Sequence, residues 1–210
     1  MRIGELSRRT GVSVPTIKFY VREGLLPAGE LTSPNQASYG ETHVQRLRLI
    51  RALLDVGGLS VAGIREVIVA VDDPERSVHE VLGAAADRMV PRYEREPGGG
   101  VEEARERVAA LIAARGWRVH PESPASEALT VALAVLEEVG HDTFTEVLDA
   151  YADAAERVAV ADLDYVAHQV AREELVESVV VGTVIGDAIF SALRRMAQID
   201  ASDRMYGSVN

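Results

Sequence analysis

The chain contains no cysteine. Disulfides are therefore excluded, and so are thiolate metal centres and thiol redox chemistry. Aromatic side chains make up only 5% of 210 residues against 47% for all hydrophobic types, so any core is built mainly from Val, Ala and Leu. Long hydrophobic runs are also missing. The most apolar stretch, Ser178 to Gly186, is bracketed by Glu177 and Asp187 and is too short to span a bilayer. No charged-then-apolar leader opens the sequence, and we expect a cytoplasmic protein that does not engage a membrane. His43, His79, His120, His141 and His168 include no pair three or four residues apart, so no metal site and no cofactor is expected. No Gly-x-Ser-x-Gly nucleophile motif occurs, and the carboxylate pairs Glu137-Glu138 and Glu173-Glu174 fall on helical patterns that face water. Nothing points to an enzyme.

What is present is unevenly charged. Residues 1–70 hold nine basic and six acidic side chains, a net +3. The rest holds thirteen basic and twenty-seven acidic ones, a net −14 of the total −11. The acidic excess thus repels phosphate everywhere except in the first third, where affinity for nucleic acid is electrostatically allowed.

That first third carries the most informative segment. Ile3 and Leu6 are a helical step apart, Val12 closes over them, and Gly11 allows the left-handed backbone of a tight turn. Ser13 is placed to cap a second helix that tolerates Pro15 in its first turn. Ile17 and Val21 give that helix a buried side. Gly24 stops it, and Pro27 prevents continuation. Val14, Thr16, Lys18, Phe19, Tyr20 and Arg22 lie around the remaining surface, with Lys18 and Tyr20 expected on the exposed side. A short helix presenting such side chains and braced by a preceding helix suits a DNA major groove.

These residues resemble the MerR family of bacterial transcription regulators. The resemblance runs through Ile3-Gly-Glu-Leu-Ser7, Gly11-Val-Ser13, Thr16-Ile-Lys-Phe-Tyr20 and Arg22-Glu-Gly-Leu-Leu-Pro27. It continues through Ser38-Tyr39, His43-Val-Gln-Arg-Leu47 and Ile50 to Val61. It implies a winged helix-turn-helix over residues 1–70, with the helix-turn-helix at about 3–24 and the wing at about 27–40. The wing would straddle the DNA backbone, bringing Ser38 and Tyr39 to it, while Arg46 on the next helix is a candidate phosphate contact. Family wings usually carry an Arg where this sequence has Ala37, so one contact is expected to be missing; Asn35 can supply positive φ in place of glycine. The resemblance further implies that residues 71–96 form a dimerisation helix pairing with its twin as an antiparallel coiled coil. Val78, Val81, Leu82, Ala85 and Met89 make its apolar stripe, and Asp72-Asp73-Pro74 is expected to begin it.

Further helix signals follow the first pair. Thr42 is positioned to cap a helix with Val44, Leu47, Ile50 and Leu54 inward, and Ser60 to cap another with Ile64, Val67 and Ile68 inward. Glu96-Pro-Gly-Gly-Gly100 reads as a linker at 97–100, without the Lys-Ser or Lys-Thr of a phosphate loop. Residues 101–210 read as an acidic, all-helical effector or oligomerisation domain. The β-branched run Val179-Val180-Val181 is assigned to helix because its flanks are helical in period. The expected architecture is therefore mainly α. The expected function is binding of double-stranded promoter DNA as a homodimer in the nucleoid, with RNA polymerase nearby, and regulation through DNA distortion. Two alternatives stay open. One is a repressor or architectural protein with the same head. The other is an acidic helical module that binds an organic effector or partner protein, its pocket lined by Trp117, Phe144, Tyr151, Tyr165 and Phe190.

Overall fold

A computed structural model describes residues 1–33, 36–90, 93, 100–169 and 175–207. Asn35, the linker at 97–99 and Glu173-Glu174 lie outside the described residues, as do the side chains of Val78, Leu82, Met89, Phe144 and His168. The chain divides into two compact units. One joins Met1–Ala86 to the chain from Val166 onward, and the other is Asp87–Tyr165. A single domain from 101 to 210 was expected; instead its last helix groups with the N-terminal elements.

In the first unit, α1 (Ile3–Thr10) ends on Gly11 at φ +70, and α2 (Val14–Arg22) starts on Ser13, whose hydroxyl accepts from the Thr16 amide at 3.2 Å. Gly24 at φ +74 turns the chain so that the Leu25 and Leu26 amides donate to the Tyr20 carbonyl at 2.9 and 3.2 Å. Strands β1 (Glu30–Ser33) and β2 (Gln36–Ser38) pair antiparallel, with Glu30 opposite Ser38 and Leu31 opposite Ala37. The hairpin is tied down where the Tyr39 amide donates to the Met1 carbonyl at 2.8 Å. Gly29 is required here, since a Cβ would lie 2.8 Å from the Ser38 carbonyl and 3.0 Å from the Tyr39 ring.

Helix α3 (Glu41–Asp55) is capped differently from expectation. It begins before Thr42, and the imidazole Nδ1 of His43 accepts the Gly40 amide at 3.1 Å. Helix α4 (Val61–Asp72) starts on Ser60 as expected, with the Gly63 amide donating to its hydroxyl at 3.1 Å. Leu6, Ile17, Leu25, Leu26, Val44, Leu47, Ile50, Leu53, Ile64 and Val67 form a continuous apolar core under these helices, each at most 1% exposed. Helix α5 (Val78–Met89) begins six residues later than Asp72. Ser77 and Glu80 form a capping box there: the Ser77 amide donates to the Glu80 carboxylate at 2.7 Å, and the Glu80 amide donates to the Ser77 hydroxyl at 3.3 Å.

The second unit stacks α6 (Val101–Arg115) on α7 (Pro124–Glu138), followed by a 3₁₀ turn at Asp142–Val147 and by α8 (Leu148–Gln169). Ala104, Val108, Ile112, Leu133 and Ala134 make its core, with Trp117 packed at the edge. Arg115 at the end of α6 reaches Asp149 at 2.8 Å and also Asp153 on α8, while the Trp117 indole donates to Glu156 at 2.8 Å. The hydrogen bond from Arg115, and its charge, hold the Asp153 carboxyl below the usual carboxylate range. Returning to the first unit, α9 (Leu175–Tyr206) runs through Val179-Val180-Val181 without a break. It packs on α3 and α4 at Val184, which is fully buried.

Candidate nucleic-acid interface

Helix α2 is held from three sides. Its N-terminus is fixed by Ser13, whose hydroxyl also pairs with the Thr16 hydroxyl at 2.7 Å. Its inner side is fixed by Ile17, which is fully buried. Its C-terminus is fixed by Arg65 of α4, which donates to the Glu23 carbonyl at 3.0 Å and to the Glu23 carboxylate at 2.6 Å. Arg65 was not anticipated as part of the site. Its partner lies 42 residues away, and nothing local announces the pairing.

On the outer surface of α2, Lys18 and Arg22 are exposed and Val14, Thr16 and Phe19 are half-buried. The Arg22 guanidinium lies 5.4 Å from the centre of the Phe19 ring, which steadies the cation, and its Nε lies 3.6 Å from the Glu23 carboxylate. Tyr20 corrects the sequence reading. It was expected beside Lys18 on the exposed side, but it is 6% exposed and packs inward with Ile17. Burial, with Asp55 nearby, raises its phenol above the ordinary value, so it stays neutral. The 3.6-residue period accounts for this, since 17, 20 and 21 share one face.

The wing and α3 candidates separate as well. Ser38 is half-buried and lines an open groove together with Arg2, Arg8, Thr32 and Gln36. Tyr39 is 9% exposed and meets the His43 ring edge-on at 5.1 Å, so its ring supports the hairpin base instead of facing outward. Arg46 is paired through both guanidinium nitrogens with Asp72 of α4, and its side chain is 16% exposed, so it braces two helices. Arg9 pairs with Glu41 at 2.9 Å and Arg51 with Asp55 at 2.9 Å. The side chains of Arg2, Arg8, Lys18 and Arg48 make no hydrogen bond or ion pair with another described residue. Sequence reasoning missed Arg2 and Arg8. No local signal marked them as unpaired, because Glu5 lies three residues from each.

Residues 1–70, the segment that holds these groups, match the family described as "MerR HTH family regulatory protein". Over its whole length the chain superposes on the crystal structure of SCO5550 from Streptomyces coelicolor A3(2), a protein assigned as a transcriptional regulator. The TM-score is 0.76 at 37% identity, with 100% of both chains covered. The chain belongs to the MerR family of transcription regulators. Among curated MerR-type relatives it is 34% identical over 89 residues to the HTH-type transcriptional regulator HmrR of Sinorhizobium medicae, covering 42% of this chain and 60% of that one. It is 44% identical over 50 residues to the ZntR homolog of Haemophilus influenzae, covering 24% and 37%. The matched segment therefore spans less than two thirds of either relative.

Of the aromatic residues considered as an effector pocket, Phe144 lies outside the described side chains. Trp117 edges the core of the second unit, and Tyr151 and Tyr165 are exposed on α8. Phe190 belongs to the first unit.

Proposed function

We propose that this MerR protein binds double-stranded promoter DNA as a two-fold dimer and regulates transcription by distorting the bound duplex. Helix α2 enters the major groove with Lys18 and Arg22 outward. The groove between α1 and the wing receives the adjacent backbone at Arg2 and Arg8. The observation that carries the reading is the division of labour among cations. Arg9, Arg46, Arg51 and Arg65 are spent on internal ion pairs, while Lys18 on α2 and Arg2 and Arg8 beside the wing have no ion-pair partner among the described residues, and exposed Arg22 meets only the adjacent Glu23 at 3.6 Å. The acidic second unit stays clear of phosphate and is the part available to an organic effector or to RNA polymerase nearby. Such a protein works in the cytoplasm, on the nucleoid.

Fluorescence anisotropy of the full chain on a duplex library tests this. Binding should weaken steeply as salt rises, in proportion to the phosphates neutralised. Absence of binding at 50 mM salt would refute it.

A further inference from the structure

The wing has no core of its own. Strand β1 is exposed throughout, Leu31 reaches 78% exposure, and a two-stranded hairpin is at best marginally stable in water by itself. Its direction is therefore set at its base, where β2 passes through Tyr39 and Gly40 into α3. Two sets of contacts act there. One runs to Met1, whose carbonyl accepts the Tyr39 amide and whose amino group donates to the Tyr39 carbonyl at 2.7 Å. The other runs to His43 in the first turn of α3. Its Nδ1 accepts the Gly40 amide, and its ring meets the Tyr39 ring with the planes 86° apart.

The state of the His43 ring follows from its partners. A backbone amide only donates, so Nδ1 carries no proton and the proton of the neutral ring sits on Nε2. Nε2 is sealed from solvent and meets no hydrogen-bond partner among the described residues. Leaving a buried N–H without an acceptor is costly, and a short side chain such as Asn could accept the Gly40 amide without that cost. What the imidazole adds is its edge against Tyr39. Glu41, the other side chain in this turn able to accept, is engaged by Arg9 at 2.9 Å. Val44 and Leu47, both fully buried, fix this part of α3 in the core and give the ring a rigid mount.

We propose that His43 is a positioning residue for DNA binding, a neutral ring that sets the angle of the wing from α3 without touching the duplex. This rests on the reading given above, in which the groove between α1 and the wing receives the DNA backbone. Arg2 and Arg8 wall that groove on one side and Thr32, Gln36 and Ser38 on the other, so its width depends on where the hairpin stands. A hairpin free to swing has to be ordered when it meets the duplex, and that ordering is subtracted from affinity. The cations of α1 and α2 keep their places, so the charge offered to phosphate stays the same.

Three variants of the full chain separate the two contacts of the ring. His43→Asn keeps an acceptor for the Gly40 amide and loses the ring. His43→Phe keeps a ring beside Tyr39 and loses the acceptor, and His43→Ala loses both. The probe is the duplex that the wild type enriches from a randomised pool. The Ala and Phe variants should bind roughly three- to tenfold more weakly, the range one cap hydrogen bond covers, and Asn within about twofold of wild type. The salt slope should be the same in all four proteins. Amide exchange at Gly40 should be faster in Ala and Phe than in wild type and Asn. Nitrogen shifts of His43 in the wild type should place the proton on Nε2. Ala and Phe variants that bind as wild type does would overturn the proposal. So would an altered salt slope, which would put His43 on phosphate, and so would an Asn variant as weak as Ala. Should His43→Ala lower the thermal midpoint, the comparison of Asn with Phe decides. A wild type that enriches no duplex would instead overturn the DNA reading itself, and the proposal with it.

Discussion

Lys18 and Tyr20 are two positions apart on α2 and have opposite tasks. Lys18 points outward without a carboxylate partner among the described residues, and its contribution is electrostatic. Lys18→Ala should leave the thermal midpoint unchanged, weaken operator binding and reduce the slope of log affinity against log salt by roughly one unit. An unchanged slope in an anisotropy titration would take Lys18 out of the interface. Tyr20 is buried, so Tyr20→Phe should leave affinity unaltered, while Tyr20→Ala should cost about 3–5 kcal/mol of folding free energy in a urea melt, as for other large aromatic truncations. The contrast shows where residue types mislead. Ser13, Gly11, Gly24 and Ile17 act through backbone geometry or an apolar face, and their roles are written in local spacing. Tyr20, Tyr39 and Arg46 carry a polar tip that looks solvent-directed until tertiary neighbours are known. For Arg46 the deciding partner, Asp72, lies 26 residues away.

At the scale of elements, α2 is positioned more than it is self-supporting. Arg65→Ala removes the clamp on Glu23 but no phosphate contact. The expected outcome is a modest stability loss of about 1 kcal/mol or less, because the pair is partly exposed. Amide exchange near the end of α2 should be faster, and DNA affinity lower at an unchanged salt slope. A slope reduced as in Lys18→Ala would mean Arg65 touches DNA directly. Helix α5 carries a pH-sensitive start. The Ser77 amide, then its hydroxyl, hold the Glu80 carboxyl below the usual carboxylate range. A depressed folded value gives a stabilisation that is present above the unfolded carboxylate value, about pH 4.3, and is lost as pH falls through the folded one. Protection factors in the first turn of α5, taken against intrinsic exchange at each pH, should therefore fall on acidification from pH 6 to pH 3, and in Glu80→Gln they should be lowered already at pH 6 and change little. Identical profiles for the two proteins would contradict the capping assignment. The Ser-x-x-Glu spacing of this cap was legible in the sequence, but Asp72-Asp73-Pro74 offered a competing start that the fold does not use. The apolar breadth of α9 was legible too. Its docking on α3 was not, because that contact depends on the space above Gly57.

For the whole molecule, charge and topology describe a basic head with a helix returning to it and an acidic helical unit. Net charge alone would have argued against DNA, and the partition between residues 1–70 and the rest removes that objection. The full-length superposition on SCO5550 shows that the helical remainder belongs to the architecture as much as the head does. Central to this account is that two heads read one palindromic duplex through α2. In vitro selection from a randomised DNA pool with the purified full chain tests that most directly, run in parallel with Lys18→Ala. The account predicts enrichment of an inverted repeat by the wild type, with clearly weaker enrichment by the variant. Recovery of no common sequence, of a single unrepeated site, or of the same repeat to the same degree with Lys18→Ala would contradict it.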